Sequence, residues 1–314
     1  MTERFGLGLA ALARPAYITT GRETLGDDRS VDALREQTHA VLDAAFDAGV
    51  RYIDCARSYG RAEEFLAAWL RVRPDAAAEV TVASKWGYRY VGGWRLDADV
   101  HEVKDHSAAA FDEQWRLTRE TLGDDIAIYQ VHSLMPDDPL FADDAALDGL
   151  ARLRDDDGVR VGFSTSGPAQ ADTVRRALAV RRGGAALFSV VQSTWSLLET
   201  SVGDALTEAA AAGLAVVVKE GMANGRLAPG GDGARLAADI AARHGVGEDA
   251  VALAAVLAQP FRPRVLSGAI TAEQVHANLA ASSVMLDPDD LAMLTSSPEP
   301  AERYWARRSE REWR

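Results

Sequence analysis

The sequence is poor in several things at once. It has one cysteine, Cys55, in 314 residues, so no internal disulfide can form and a reducing, cytoplasmic compartment is expected. Of its 34 basic residues only Lys85, Lys104 and Lys219 are lysines. Basic charge is itself short, 34 residues against 47 acidic ones, for a net charge of −13. That balance disfavours non-specific contact with nucleic acid or with an anionic membrane surface. No run of eighteen apolar residues occurs, so no membrane-spanning helix is expected. The stretch Met1 to Ala10 lacks the basic region of a secretory signal. No His-x-His pair or paired acidic cluster follows an apolar run at ligand spacing, so no metal site is expected. Gly6-Leu7-Gly8 lacks the third glycine and the helix of a dinucleotide fingerprint, which argues against a Rossmann sheet.

What is present is an ordinary globular composition, 47% hydrophobic and 26% charged. Apolar runs and helical periodicities alternate along the chain. Strands are expected at 5–12, 50–53, 80–84, 126–131, 159–163, 187–191, 214–218 and 264–266. Helices are expected at 32–48, 61–71, 107–122, 143–154, 168–180, 202–212, 234–244, 249–258, 271–281 and 287–294, with Pro74 ending the second. Eight strands, each followed by helix at intervals near 30 residues, predict a single-domain (β/α)8 TIM barrel over residues 1–314. A long segment at 86–106 interrupts the third repeat, and a charged tail at 299–314 follows the last.

In such a barrel chemistry sits where strands end. The residues just past each apolar run are Asp54 and then Tyr59, Lys85, His132, Ser164-Thr165, Gln192 and Lys219. Singly, each has a plainer reading: Tyr59 as a rim residue, His132 as a hydrogen-bonded shell histidine, Asp54 as a helix cap. Together they suit one reaction. A phenol titrates near 10, and a neighbouring ammonium is expected to lower that value. Lys85 would be that ammonium, held by Asp54, while His132 directs the same substrate oxygen. This is a general acid with an electrostatic cradle for a developing alkoxide. In a chain that nearly always uses arginine, a retained lysine can mark a site that needs a compact ammonium, although for any single one drift is the better reading.

The segment Tyr52-Ile53-Asp54-Cys55-Ala56-Arg57-Ser58-Tyr59-Gly60 resembles a signature of the aldo-keto reductase superfamily. So do Val82-Ala83-Ser84-Lys85, Ile128-Tyr129-Gln130-Val131-His132, Val161-Gly162-Phe163-Ser164, Gln192-Ser193-Thr194-Trp195, and Ser267-Gly268 through Gln274 and Asn278. The resemblance implies an NAD(P)(H)-dependent oxidoreductase that interconverts a carbonyl (aldehyde, ketone or sugar) and an alcohol, with catalytic residues Asp54, Tyr59, Lys85 and His132. It further implies that Ser164 and Gln192 hold the nicotinamide carboxamide, and that Trp195 stacks on the ring unless it merely packs in the core. Lys219, Gly221 and Gly225 fall where relatives cover the pyrophosphate, with Glu220 an awkward neighbour for phosphate. Gly268, Gln274 and Asn278 fall at the adenosine end. Gly268 and Gln274 replace the commoner Lys and Arg there; some NADPH-using branches share this, so NADP(H) is favoured and NAD(H) stays open.

The segment at 86–106 carries Trp86, Tyr88, Tyr90 and Trp94. Trp86 and Tyr88 are expected to wall the substrate, or the loop folds on its own aromatics. The tail, with Tyr304, Trp305 and Trp313, is expected to fold over the pocket, to form a subunit contact, or to remain solvated. A different function on the same fold is a nucleotide-binding regulatory subunit with little turnover; the complete tetrad favours the enzyme.

Overall fold

The computed structural model describes residues 2–313, apart from the side chain of Glu23. Its centre is a closed parallel barrel, in which each strand pairs with its sequence neighbours and the first pairs with the last. The strands are β1 (Phe5–Gly8), β2 (Tyr52–Asp54), β3 (Thr81–Trp86), β4 (Ile126–Leu134), β5 (Arg160–Thr165), β6 (Val190–Thr194), β7 (Ala215–Lys219) and β8 (Arg264–Ser267). The helices packed outside are α1 (Val31–Asp47), α2 (Ala62–Val72), α3 (Ala108–Leu122), α4 (Asp144–Asp155), α5 (Gln170–Leu178), α6 (Gly203–Ala211), α7 (Glu248–Leu257) and α8 (Ala272–Leu279). This is the (β/α)8 barrel expected from the periodicity. No described helix is long and apolar enough to cross a membrane.

The inside of the barrel is layered. Tyr52, Ala83, Ile128, Val190, Val217 and Leu266 form one buried apolar cluster. Side chains alternate along a strand, so the residue two positions on faces the same way. Two positions beyond five of these stand Asp54, Lys85, Gln130, Gln192 and Lys219. An apolar floor thus carries a polar layer at the C-terminal mouth. The intervening residues, Val131, Phe163 and Val191 among them, face the helices and form the main core.

Several boundaries differ from expectation for local reasons. β1 stops at Gly8 because the amides of Leu12 and Ala13 turn back to the carbonyl of Leu9. β6 begins three residues late, since Ala185–Ala186 pair with Arg181–Arg182 in a small hairpin first. Pro74 starts a helix of its own, Pro74–Glu79, where its fixed φ suits the first turn. The segment at 86–106 holds an antiparallel hairpin, Tyr88–Tyr90 with Glu102–Lys104. The tail holds a C-terminal helix, Ala301–Ser309.

Candidate active site

Four side chains converge at the mouth. Lys85 is fully buried and forms an ion pair with Asp54, whose side chain is 3% exposed. Its ammonium also donates to the Cys55 carbonyl at 3.0 Å. The Tyr59 hydroxyl lies 3.4 Å from Lys85 Nζ and 3.4 Å from His132 Nε2. Asp54 takes further hydrogen bonds from Gln192 Nε2 at 2.8 Å and from Gln130 Nε2 at 3.4 Å. These bonds tie β2, β3, β4 and β6 together across the barrel.

The chain turns tightly to present Tyr59. Gly60 follows at φ +60°, and a Cβ there would run into the Ala13 carbonyl and the Arg14 side chain. Glycine therefore lets the β2 turn lie against the loop after β1. His132 is fixed from behind: His106 Nε2 donates to the His132 carbonyl at 2.8 Å, while His106 Nδ1 pairs with Asp138, which Lys104 also meets at 2.7 Å. All three lysines of the chain thus belong to this neighbourhood: Lys85 beneath Tyr59, Lys104 behind His132, and Lys219 on the cavity wall.

Burial decides the protonation states. It pushes the Tyr59 phenol well above its usual value; Asp54 and Tyr17 add to the rise, and the Arg14 guanidinium opposes it. The expected acidification by Lys85 is therefore outweighed, and the phenol keeps its proton at neutral pH. Burial, followed by the cations Lys85, Lys219 and Arg14, holds His132 well below the usual imidazole range, so the ring is neutral.

A cavity of about 1130 Å³ opens above these groups. That exceeds the ~300–1,000 Å³ of an ordinary small-molecule pocket and leaves room for a dinucleotide beside a small substrate. Its lining includes Asp54, Tyr59, His132 and Gln192 from the polar layer, Lys219, Gly221 and Gly225 from the end of β7 and the loop after it, and Gly268, Gln274 and Asn278 from the end of β8 and from α8. Tyr88 also lines it.

Three expected contacts do not reach the cavity. Ser164 points into the barrel, but it is fully buried and its Oγ accepts the Ser133 amide at 2.8 Å; Ser133 and Ser166 face the opening instead. Trp195 follows inward-facing Thr194 and so faces outward, edge-on to Phe261 at 6.4 Å; it packs in the core rather than on a nicotinamide ring. Trp86 likewise follows inward-facing Lys85 and is buried against Phe111 and His106, so it is no substrate wall.

Other residues enter the site without having been singled out in the sequence. Arg14, 1% exposed, sits over the rings of Tyr17, Tyr59 and Trp313 at 4.3, 4.9 and 4.8 Å and pairs with Glu102 at 2.8 Å. It is the first charged residue after the first apolar run, the same signal that marks the tetrad. The tail folds over the cavity: Trp313 stacks on His101 at 4.4 Å, and Arg311 donates to the carbonyls of Ile18 and Asn224. Arg308 Nε meets both carboxylate oxygens of Glu220, at 2.9 and 3.1 Å. That pairing neutralises the acid flanking the expected pyrophosphate loop.

Comparison with known proteins agrees with this geometry. The model of the Aldo/keto reductase family matches residues 18–299. The chain belongs to the aldo/keto reductase family. Similar solved structures include an aldo-keto reductase of Bacillus halodurans in its holo form, with TM-score 0.68 and 20% identity over 96% of this chain and 95% of that one. Another is a protein described as an aldo-keto reductase of Pseudomonas aeruginosa, with TM-score 0.64 and 22% identity over 90% of each chain. At such identities these two establish the fold of the aldo/keto reductase. A comparison with curated proteins finds no match.

Proposed function

We propose that this aldo/keto reductase interconverts a small carbonyl compound (aldehyde, ketone or sugar) and its alcohol, with Tyr59 as the general acid. The observation that carries the reading is the Tyr59 hydroxyl set 3.4 Å from both Lys85 Nζ and His132 Nε2 on the wall of a dinucleotide-sized cavity. The residues fit a nicotinamide dinucleotide. Gly268 leaves open space where a side chain would stand, and Asn278 is buried and anchored to Ser267 Oγ at 2.8 Å. Gln192, Lys219, Gly221, Gly225, Gly268, Gln274 and Asn278 would hold the cofactor. When bound, the reduced nicotinamide supplies the hydride.

The remaining chemistry belongs to the chain. A phenol that keeps its proton is in the form a donor needs. His132, neutral, directs the substrate oxygen toward the Tyr59 hydroxyl. As negative charge develops on that oxygen, the Tyr59 proton moves to it, and the Lys85 ammonium stabilises the resulting phenolate. Asp54 positions Lys85 rather than touching substrate. Arg14, Tyr88 and Trp313 bound the space in front of Tyr59.

Tyr59→Phe tests this reading. With a panel of aldehydes it should lower the rate of nucleotide oxidation by about 10²–10⁴-fold, while nucleotide affinity, read by protein fluorescence, stays within a few-fold. A wild-type rate no better than that of the variant would overturn the enzymatic reading and leave a nucleotide-binding subunit of the same fold. The leaning of the sequence toward NADP(H) rests on Gly268 and Gln274, which line the cavity.

A further inference from the structure

The N-terminal end of the barrel, opposite the mouth that holds Tyr59, collects arginines. Arg4 immediately precedes β1, Arg160 opens β5 and Arg264 opens β8, while Arg262 lies in the connection from α7 to β8. Arg4, Arg262 and Arg264 line a second cavity, of about 420 Å³, whose other lining is apolar and includes Leu214, Val216 and Phe261.

These cations have no counter-charge. Among the described residues none of the four forms an ion pair, in a chain whose net charge is −13. They repel one another instead. Burial and then the Arg262 charge lower the pKa of Arg4; burial lowers that of Arg264, which Tyr52 opposes and Arg160 reinforces. No carboxylate enters either balance, and a guanidinium keeps its proton regardless.

Most of their donors are unused. Arg4 is held in place by its Nε, which donates to the Pro263 carbonyl at 3.1 Å, and by its Nη2, which donates to the Leu257 carbonyl at 2.8 Å. Its Nη1 and the whole guanidinium groups of Arg262 and Arg264 have no hydrogen bond among the described residues. Arg264 rests over the ring of Tyr52 at 4.6 Å, and the buried Tyr52 hydroxyl lacks a partner too. Polar groups at the mouth are matched to one another; those at this end are not. Arg262 moreover stands at φ +47°, a left-handed conformation that glycine adopts freely and arginine only at a cost.

We propose that Arg4, Arg262 and Arg264 form a binding site for a small phosphate monoester, the phosphate met by the three guanidiniums and a short apolar body lying against Leu214, Val216 and Phe261. Guanidinium forks suit phosphate oxygens, and three cations match the near-dianionic charge of a monoester better than the single charge of a carboxylate. The site is separate from the cavity above Tyr59 and does not depend on what that cavity binds.

The test is calorimetric titration of the whole protein with phenyl phosphate, benzoate, phenol and inorganic phosphate, near neutral pH and at low salt. Phenyl phosphate should bind with a Kd below roughly 1 mM, and about tenfold or more tighter than each of the other three. Arg262→Gln, at an exposed and unbonded position where folding is not at stake, should weaken phenyl phosphate by about tenfold, and Arg264→Gln should do the same. No saturable binding of phenyl phosphate by the wild type overturns the proposal. So does equal affinity for phenol, which would make the charge irrelevant, or for benzoate or inorganic phosphate, which would remove the dianion or the apolar body from the recognition. Phenyl phosphate bound as tightly by both variants as by the wild type places the anion in the larger cavity and likewise overturns it.

Discussion

Replacing Lys85 by methionine perturbs the site at its most buried point. The ammonium is fully buried, and the carboxylate it meets is 3% exposed. In the variant, Asp54 keeps only the neutral amides of Gln192 and Gln130. Removing one member of a buried pair leaves an uncompensated charge and costs about 3–5 kcal/mol. At roughly 2–4 °C of Tm per kcal/mol for a larger domain, Tm should fall by about 6–20 °C. The same cost applies to Asp54→Asn, which strands the ammonium with the Cys55 carbonyl. Two independent losses would sum to about 6–10 kcal/mol. If the pair acts as a unit, the double variant, with neither charge left, is no less stable than either single one. Urea unfolding followed by fluorescence and circular dichroism gives the three differences and the coupling. An additive double variant, or a Lys85→Met loss under about 1 kcal/mol, would refute the argument that Asp54 and Lys85 are mutually required. Lys85→Arg should not restore reduction, because a planar guanidinium does not fit between Asp54, the Cys55 carbonyl and the Tyr59 hydroxyl. Full activity in that variant would defeat the reasoning from lysine scarcity.

The barrel was legible because its signal is local and repeated: eight short apolar runs, each followed by a helix. The tetrad was legible for the same reason, since Asp54, Lys85 and His132 stand just past such runs. The errors came from applying the two-residue alternation incompletely. Counting from Asp54 and Lys85 along their strands places Lys85 inward and Trp86 outward; counting from Gln192 places Thr194 inward and Trp195 outward. Both tryptophans are therefore core residues by the very rule that found the site. Ser164 obeys the alternation but is covered by the irregular end of β4, where Ser133 takes φ +55°; no pattern in the sequence announces that. The contacts made by the tail were not legible either. Arg308 meets Glu220 and Arg311 meets the Ile18 carbonyl across 88 and 293 residues, and contacts so distant leave no periodic trace. The phenol shows a different limit. Lys85 was correctly placed, but the balance between its charge and the burial of Tyr59 depends on how much water the folded site excludes.

Two further predictions concern groups that support the site. Asp138 is buried, which alone would raise its pKa, but His106 and Lys104 outweigh burial and hold it at about 2. Its stabilisation is complete above about pH 4 and is lost as pH falls through 2, so Asp138→Asn should cost about 2 kcal/mol at pH 7 and little at pH 2. Equal losses at both pH values, measured by chemical unfolding, would show that the carboxylate charge is not what holds His106. Lys219 has the opposite sign. Burial lowers it to about 8, against a partial rise from Glu220 and with further lowering from Arg308 and Lys85. The folded chain therefore gives up this proton near pH 8, and the unfolded chain near 10.4. Between those values the unfolded state binds more protons, so wild-type stability gains a rising contribution from this residue, and below pH 8 the half-buried ammonium is a cost. Lys219→Met should accordingly stabilise the protein by about 1–3 kcal/mol at pH 7, and the advantage should shrink to nothing above about pH 10. A variant no more stable than wild type at pH 7 would mean that Thr194, which accepts from this ammonium at 2.8 Å, and Glu220 already offset its burial. Under the proposed function, a lysine kept at such a cost on the cavity wall, in a chain with only three, would serve what the cavity binds. The same variant should therefore lose nucleotide affinity while gaining stability, a combination that a purely structural role does not produce.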